Sequence, residues 1–320
     1  MRKIILDCDP GLDDTLAILL AAKHLDVLGI TTVAGNQTID KVTTNALKIV
    51  EFADLTHIPV AKGTHQPLVK PLIHAGHIHG ESGLDGPILP EPTTPLDPRH
   101  AVDFIIETVM AHDEVTLVPV GPLTNIALAL HREPRLRERI PEISLMGGGL
   151  NVGNVTAMAE FNIYVDPEAA HMVFTSGIPI KMAGLNLTRQ ANAMQAEIDR
   201  CRALGNRTGQ IVAELLTFYA GTIQESFGVN GGSLHDPCAV AALIEPDLIE
   251  FLPLHVAVEL NGTHTYGMTV CDVRHLRGIG NELIQVGRPH GQPANAQVGM
   301  RIDSERFFDL LIDETLSLYP

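Results

Sequence analysis

Short apolar runs alternate with longer stretches of helical periodicity through the first two-thirds of the chain. Residues 3–6 read as a buried strand, and apolar positions recurring at helical spacing predict a helix over 13–23, so the chain opens as a βα unit. The same reading predicts strands over 27–33, 58–61, 115–120, 143–146 and 178–183, with helices over 38–52, 99–111, 123–130 and 167–176. Apolar strands separated by helices imply an α/β fold with a mainly parallel central sheet flanked by helices. Helical periodicity with polar interruptions covers 194–227 and returns over 238–243. Strands are predicted over 254–260, 265–271 and 296–302, and a last helix from Ser304. Residues 63–98 are rich in Pro, Gly and His and show no period, which in a compact enzyme marks a functional loop more often than a linker.

Composition narrows the class. A chain of 320 residues, 45 % hydrophobic and 19 % charged, is an ordinary globular one, read here as a single domain over residues 1–320. The excess of 38 acidic over 22 basic residues gives a net charge of -16, which repels nucleic-acid phosphates and anionic lipid, so neither is an expected partner. Cys8, Cys201, Cys238 and Cys271 form no CxxC pair, which fits a reducing cytoplasm better than a disulfide framework. The apolar start is too short for a signal-peptide core, and no window approaches the ~18 apolar residues of a membrane span.

The densest chemistry lies at Asp7-Cys8-Asp9-Pro10-Gly11-Leu12-Asp13-Asp14, four carboxylates where the first strand gives way to the first helix. Ligands bind at that edge of open α/β sheets. Neighbouring negative charges repel unless a cation or protons compensate, although Asp13 and Asp14 taken singly could be solvated acids at a helix start. An EF-hand loop does not fit: counting from Asp7, Gly11 falls where an acid belongs and Ile18 where the bidentate Glu belongs. Asp-x-Asp after a first strand also opens haloacid-dehalogenase-type phosphatases, with Asp7 as nucleophile and Asp9 as acid/base. The Pro-Gly-Leu-Asp-Asp that follows is not their usual continuation.

The segment closely resembles the N-terminal signature of the nucleoside hydrolase family. Val33-Ala34-Gly35-Asn36, His79-Gly80-Glu81-Ser82-Gly83-Leu84-Asp85-Gly86, Val120-Gly121-Pro122-Leu123-Thr124-Asn125, Met146-Gly147-Gly148, Glu160-Phe161-Asn162 and His235-Asp236 match family segments in order. The resemblance implies a Rossmann-like fold and hydrolysis of the N-glycosidic bond of ribonucleosides to free base and ribose. It also implies a bound Ca2+ and a homo-oligomer, either dimer or tetramer. By similarity Asp9, Asp14, the Val120 carbonyl and Asp236 hold the ion, and Asp9 also deprotonates the attacking water. Asp13 would accept from the ribose 2'-hydroxyl, with Asn36, Asn154, Glu160 and Asn162 as further sugar contacts. His235, beside Asp236, is the candidate general acid or base contact, and His79 resembles a histidine of the nucleoside pocket. Carboxylates suit this role because C–N cleavage builds oxocarbenium character on the ribose.

The chain departs from one family pattern. Pyrimidine-preferring members carry Gln and Tyr four residues apart shortly before the His-Asp pair, where Ile223 and Phe227 stand here. Tyr219 and Gln224 are close by, but both are expected to face elsewhere on a helix. Met146, Phe161, Tyr164 and Phe227 are candidate pocket walls or core residues. His74, His77 and His79 could suggest zinc but have no cysteine nearby. Gly147-Gly148-Gly149 lacks dinucleotide-loop spacing and is read as backbone that approaches the sugar. The alternatives to a nucleoside hydrolase are the phosphatase and a calcium-dependent nucleoside-binding protein without turnover.

Overall fold

The structure, a computed structural model, describes residues 1–274 and 292–320. Its strands are β1 (Lys3–Cys8), β2 (Asp26–Thr32), β3 (Val60–Lys62), β4 (Thr116–Pro119), β5 (Ile143–Met146), β6 (Ile180–Ala183), β7 (Asn192–Ala193), β8 (Gly232–Ser233), β9 (Ile249–Leu254), β10 (Val256–Val258), β11 (Thr269–Cys271) and β12 (Ala296–Ile302). Eight of them form one sheet in the order β3-β2-β1-β4-β5-β6-β12-β9, parallel throughout except for β9 against β12. The pairs β7–β8 and β10–β11 are small antiparallel ribbons.

The chain runs outward from β1 to β3, returns to β4 and then runs outward the other way. A crevice therefore opens beyond the carboxyl ends of β1 and β4, the switch point where ligands bind in such sheets. Two helices meet there. Leu12–His24 is buried from Leu12 to Ala21, and Asp236–Ile244 is buried from Asp236 to Leu243, the two packed on each other. Each fully buried Leu or Ile on them contributes roughly 1.5–3 kcal/mol relative to exposure. A helix apolar on all sides can sit only inside, so the acids of both first turns are carried inside with it.

The later elements differ from the sequence expectation at identifiable places. The run 254–260 divides into β9, which starts at Ile249, and β10. Pro253 cannot donate to a ladder, and β9 tolerates it as an edge strand paired with β12 alone. The helical stretch 194–227 breaks into Gln195–Ala203 and Arg207–Phe227, because Gly205 turns left-handed (φ 71°) and the Asn206 side chain caps the second helix at Gly209 N–H. Residues 63–98 hold only the single turn Gly76–His79 besides loop and isolated bridging. Among the described residues no helix is long and apolar enough to cross a membrane.

Candidate active site

Asp9 begins the turn after β1, in a space kept open by two glycines. A Cβ on Gly35 would fall 2.1 Å from Asp9 Oδ2, and one on Gly121 2.4 Å from Oδ1, both well inside van der Waals contact. Asp9 Oδ2 accepts the Asn36 backbone N–H at 2.6 Å. The Asn36 amide donates to the Asp9 carbonyl at 3.2 Å and to Asp14 Oδ2 at 3.1 Å. Asp14 accepts the N–H of Asp9 at 3.1 Å and of Gly11, the N-cap of the Leu12–His24 helix, at 2.9 Å. Asp13 and Asp14 are buried, which corrects the picture of solvated acids at a helix start.

Carboxylate oxygens of Asp13, Asp14 and Asp236 lie within 4.8 Å of one another, an arrangement able to hold a cation. One oxygen of Asp13 accepts the His235 backbone N–H at 3.2 Å. The structure thus brings Asp13 into this group. Asp9 stands beside it, close enough for the charge of Asp14 to act on it. Burial pushes all four carboxyls up, Asp14 to about 7 and Asp9 and Asp236 well above their usual range, and repulsion between them adds to this. The Val120 carbonyl, just past β4, lines the same cleft and accepts the Asn162 amide at 2.8 Å.

Asp7 corrects the phosphatase expectation. It lies within β1, fully buried, with Oδ1 accepting from Thr31 Oγ1 at 2.5 Å and Asn125 Nδ2 at 2.8 Å. It sits inside the strand and outside the cleft lining, with Oδ1 taken up by those two bonds, whereas Asp9, Asp13 and Asp14 follow where the strand ends.

The cleft above this group encloses about 640 Å³, room for a nucleoside. Asn36, Met146, Asn154, Glu160, Phe161 and Asn162 all line it. Glu160 caps the short helix Phe161–Val165, accepting from Asn162 N–H at 2.9 Å and Ile163 N–H at 3.2 Å, and from Gly148 N–H at 2.8 Å. Burial raises its carboxyl to about 7. Asn154 accepts the Phe161 N–H at 2.9 Å. The glycine run therefore serves differently from the sequence reading. Gly148, left-handed at φ 71° and pressed against Thr269, gives its N–H to Glu160, and none of Gly147, Gly148 and Gly149 is among the lining residues. Tyr164 is not among them either: it faces Tyr266 and Lys70.

A further wall of the cleft is built from the Arg207–Phe227 helix, the Gly76–His79 turn and the segment before Asp236. His79 Nδ1 accepts the Leu12 N–H at 3.3 Å, which leaves the proton of a neutral ring on Nε2. His79 also faces the Tyr219 ring, 6.2 Å away and nearly parallel. His74 is exposed, and the side chain of His77 lies outside the described residues. Tyr219, Ile223 and Phe227 line the cleft together, whereas Gln224 is exposed. The expectation for Tyr219 is thereby corrected, since residues four and eight apart share one helical face. His235 reaches the cleft with Nδ1 2.7 Å from Thr188 Oγ1, and burial lowers its imidazole to about 4, neutral at physiological pH. Sequence reasoning missed Arg189 and Asn192, which line the cleft from a segment without periodic signal.

Comparison with known proteins agrees with this geometry. Residues 4–309 match the family model described as inosine-uridine preferring nucleoside hydrolase. The chain is 45% identical over 313 residues to a pyrimidine-specific ribonucleoside hydrolase, RihB, of Escherichia coli, covering 97% of this chain and 96% of that one. Among solved structures it is similar to a purine-preferring ribonucleoside hydrolase from Gardnerella vaginalis (33% identity, TM-score 0.88, 99% and 100% of the two chains covered). A plant nucleoside hydrolase aligns with 32% identity, TM-score 0.88 and 99% of each chain covered.

Proposed function

The chain belongs to the inosine-uridine preferring nucleoside hydrolase family and is a hydrolase of the N-glycosidic bond of nucleosides, and from that premise we propose that it releases ribose and free base from ribonucleosides in a calcium-dependent reaction. The observation that carries the metal is the convergence of Asp13, Asp14 and Asp236 beside Asp9 and the Val120 carbonyl. These are hard oxygen donors, buried, and mutually repelling without a cation. Asp9, Asp14, Asp236 and the carbonyl, joined by water and ribose hydroxyls, suit the ~6–8 oxygens calcium takes. Calcium bound there would supply positive charge that neutralises the acids and makes a nearby water more acidic.

Asp9 takes the proton of the attacking water. Its Oδ2 is pinned by Asn36 N–H, and Oδ1 lies in the space that Gly121 leaves. Asp13, oriented by His235 N–H, accepts the ribose 2'-hydroxyl. Asn36, Asn154, Glu160 and Asn162 hold the sugar, with Met146 and Phe161 packed against it. His79, His235 and Phe227 contact the base. The carboxylates face a ribose that becomes cationic as the C–N bond breaks, which lowers the barrier electrostatically. The enzyme acts in the cytoplasm as a homo-oligomer.

Ribose release from inosine, adenosine, guanosine, uridine and cytidine, measured before and after chelation and with calcium added back, tests this reading. Calcium-restored release is the expected result. Nucleoside binding without release would favour a binding protein, and release unaffected by chelation would remove the metal.

A further inference from the structure

Arg189 lines the cleft and is the only lysine or arginine to do so among the described residues. It follows Thr188, whose Oγ1 lies 2.7 Å from His235 Nδ1. Its Nη2 donates to the Gly153 carbonyl at 2.9 Å, which fixes one edge of the guanidinium against the cleft wall. Among the described ion pairs, from Arg2–Glu142 to Arg306–Glu245, Arg189 takes no part, so its charge is not neutralised by a carboxylate neighbour. A guanidinium has five N–H donors, and the bond to Gly153 spends one.

The same cleft carries Asp13, Glu160 and Asp236. Its one cation among the described residues follows Thr188, the hydrogen-bond partner of His235, which the proposed reading places against the base. When C1'–N breaks, its electron pair stays on the base. In uracil and hypoxanthine that negative charge delocalises onto an exocyclic oxygen, whereas adenine presents an amino group there. Ile223 and Phe227 line the cleft with no polar atom to meet such an oxygen.

Resting on the nucleoside hydrolase reading, we propose that Arg189 is a leaving-base contact that donates to the exocyclic carbonyl oxygen of the departing base and so favours ribonucleosides of oxo bases, such as uridine and inosine, over adenosine. The step balances. The water oxygen bonds to C1', its proton passes to Asp9, the C1'–N pair leaves on the base, and the base anion held at Arg189 takes a proton from solvent as Asp9 returns one.

The other role open to Arg189 is to clasp the loop around Gly153, and a clasp acts on every substrate alike. The test is kcat and KM of wild type, Arg189→Met and Arg189→Lys on uridine, inosine, adenosine and 4-nitrophenyl ribofuranoside, whose leaving group departs without help. Loss of a charge-assisted hydrogen bond predicts that Arg189→Met lowers kcat on uridine and inosine about ten- to hundredfold. The nitrophenyl riboside should change by less than about threefold, and Arg189→Lys should recover part of the loss because it keeps the charge without the fork. An equal loss on all four substrates, or a rise in KM with kcat unchanged, overturns the proposal and leaves a clasp. No release by wild type from any substrate, the activated riboside included, overturns the hydrolase reading and this proposal with it.

Discussion

The acidic group and the aromatic wall of the cleft are built on opposite principles. Asp9, Asp14 and Asp236 are almost wholly inaccessible, at 1%, 0% and 4% exposure, and Asp9 and Asp14 are held by backbone N–H groups. On the cleft wall that the proposed reading assigns to the base, Phe227 and Val229 are 59% and 53% exposed, and they sit at the end of a helix and in the segment after it. Preorganised charge stabilises a transition state only if it does not have to move, which suits the rigid acidic group to the proposed chemistry. A recognition surface can vary side chain by side chain without disturbing that charge. Relatives whose names give pyrimidine and purine preferences align with this chain equally completely, as expected when preference resides in a few side chains of the exposed wall.

The sharpest way to break this contrast is Asp9→Asn. The amide still accepts the Asn36 N–H but cannot act as a base, so kcat should fall about 10²- to 10⁴-fold while nucleoside binding stays measurable by calorimetry. A variant turning over at near wild-type rate would remove Asp9 from the chemistry.

Melting experiments probe the buried acids without substrate. Burial raises Asp7, Asp14 and Glu160 to about 7, so the metal-free folded chain holds protons that the unfolded chain releases near pH 4. Stability from these groups is complete below that pH and is lost as pH rises through about 7. After chelation Tm should drop by several degrees, roughly 5 °C or more, between pH 5 and pH 8. Calcium should restore more at pH 8 than at pH 5, because at low pH it must first displace protons. A Tm insensitive to calcium at pH 8 would speak against an ion at these carboxylates.

The smallest effect belongs to the aromatic wall. Phe227→Ala removes a half-exposed ring, and KM should rise about two- to tenfold with kcat nearly constant. A kcat loss as large as that of Asp9→Asn would erase the distinction between the acidic group and the wall.

Much of the frame was legible beforehand because its signals are local. β5 and β12 fall where the apolar runs put them, and the helix at Ile39–Phe52 follows its period. The short helix Phe161–Val165, which presents Asn162, was not legible, since five residues hold barely more than one turn of any pattern. Arg189 likewise has no sequence signature: it follows the four-residue helix Leu185–Thr188, and only the fold brings it to the cleft.

The sequence alone determined the alternation of strands and helices, the acidic segment after β1, and a family signature dense enough to name the reaction. Periodicity and short motifs survive in one dimension because they depend on neighbours a few residues away. Only the tertiary structure decided that Asp7 turns inward to Thr31 and Asn125, that Asp13 joins Asp14 and Asp236, and that Tyr219 shares the wall with Ile223 and Phe227. It also decided that Arg189, which joins none of the ion pairs among the described residues, lines the same cleft as the acids. Those outcomes depend on contacts between residues as far apart as 222 positions, as Asp13 and His235 are, and on packing that no local pattern encodes.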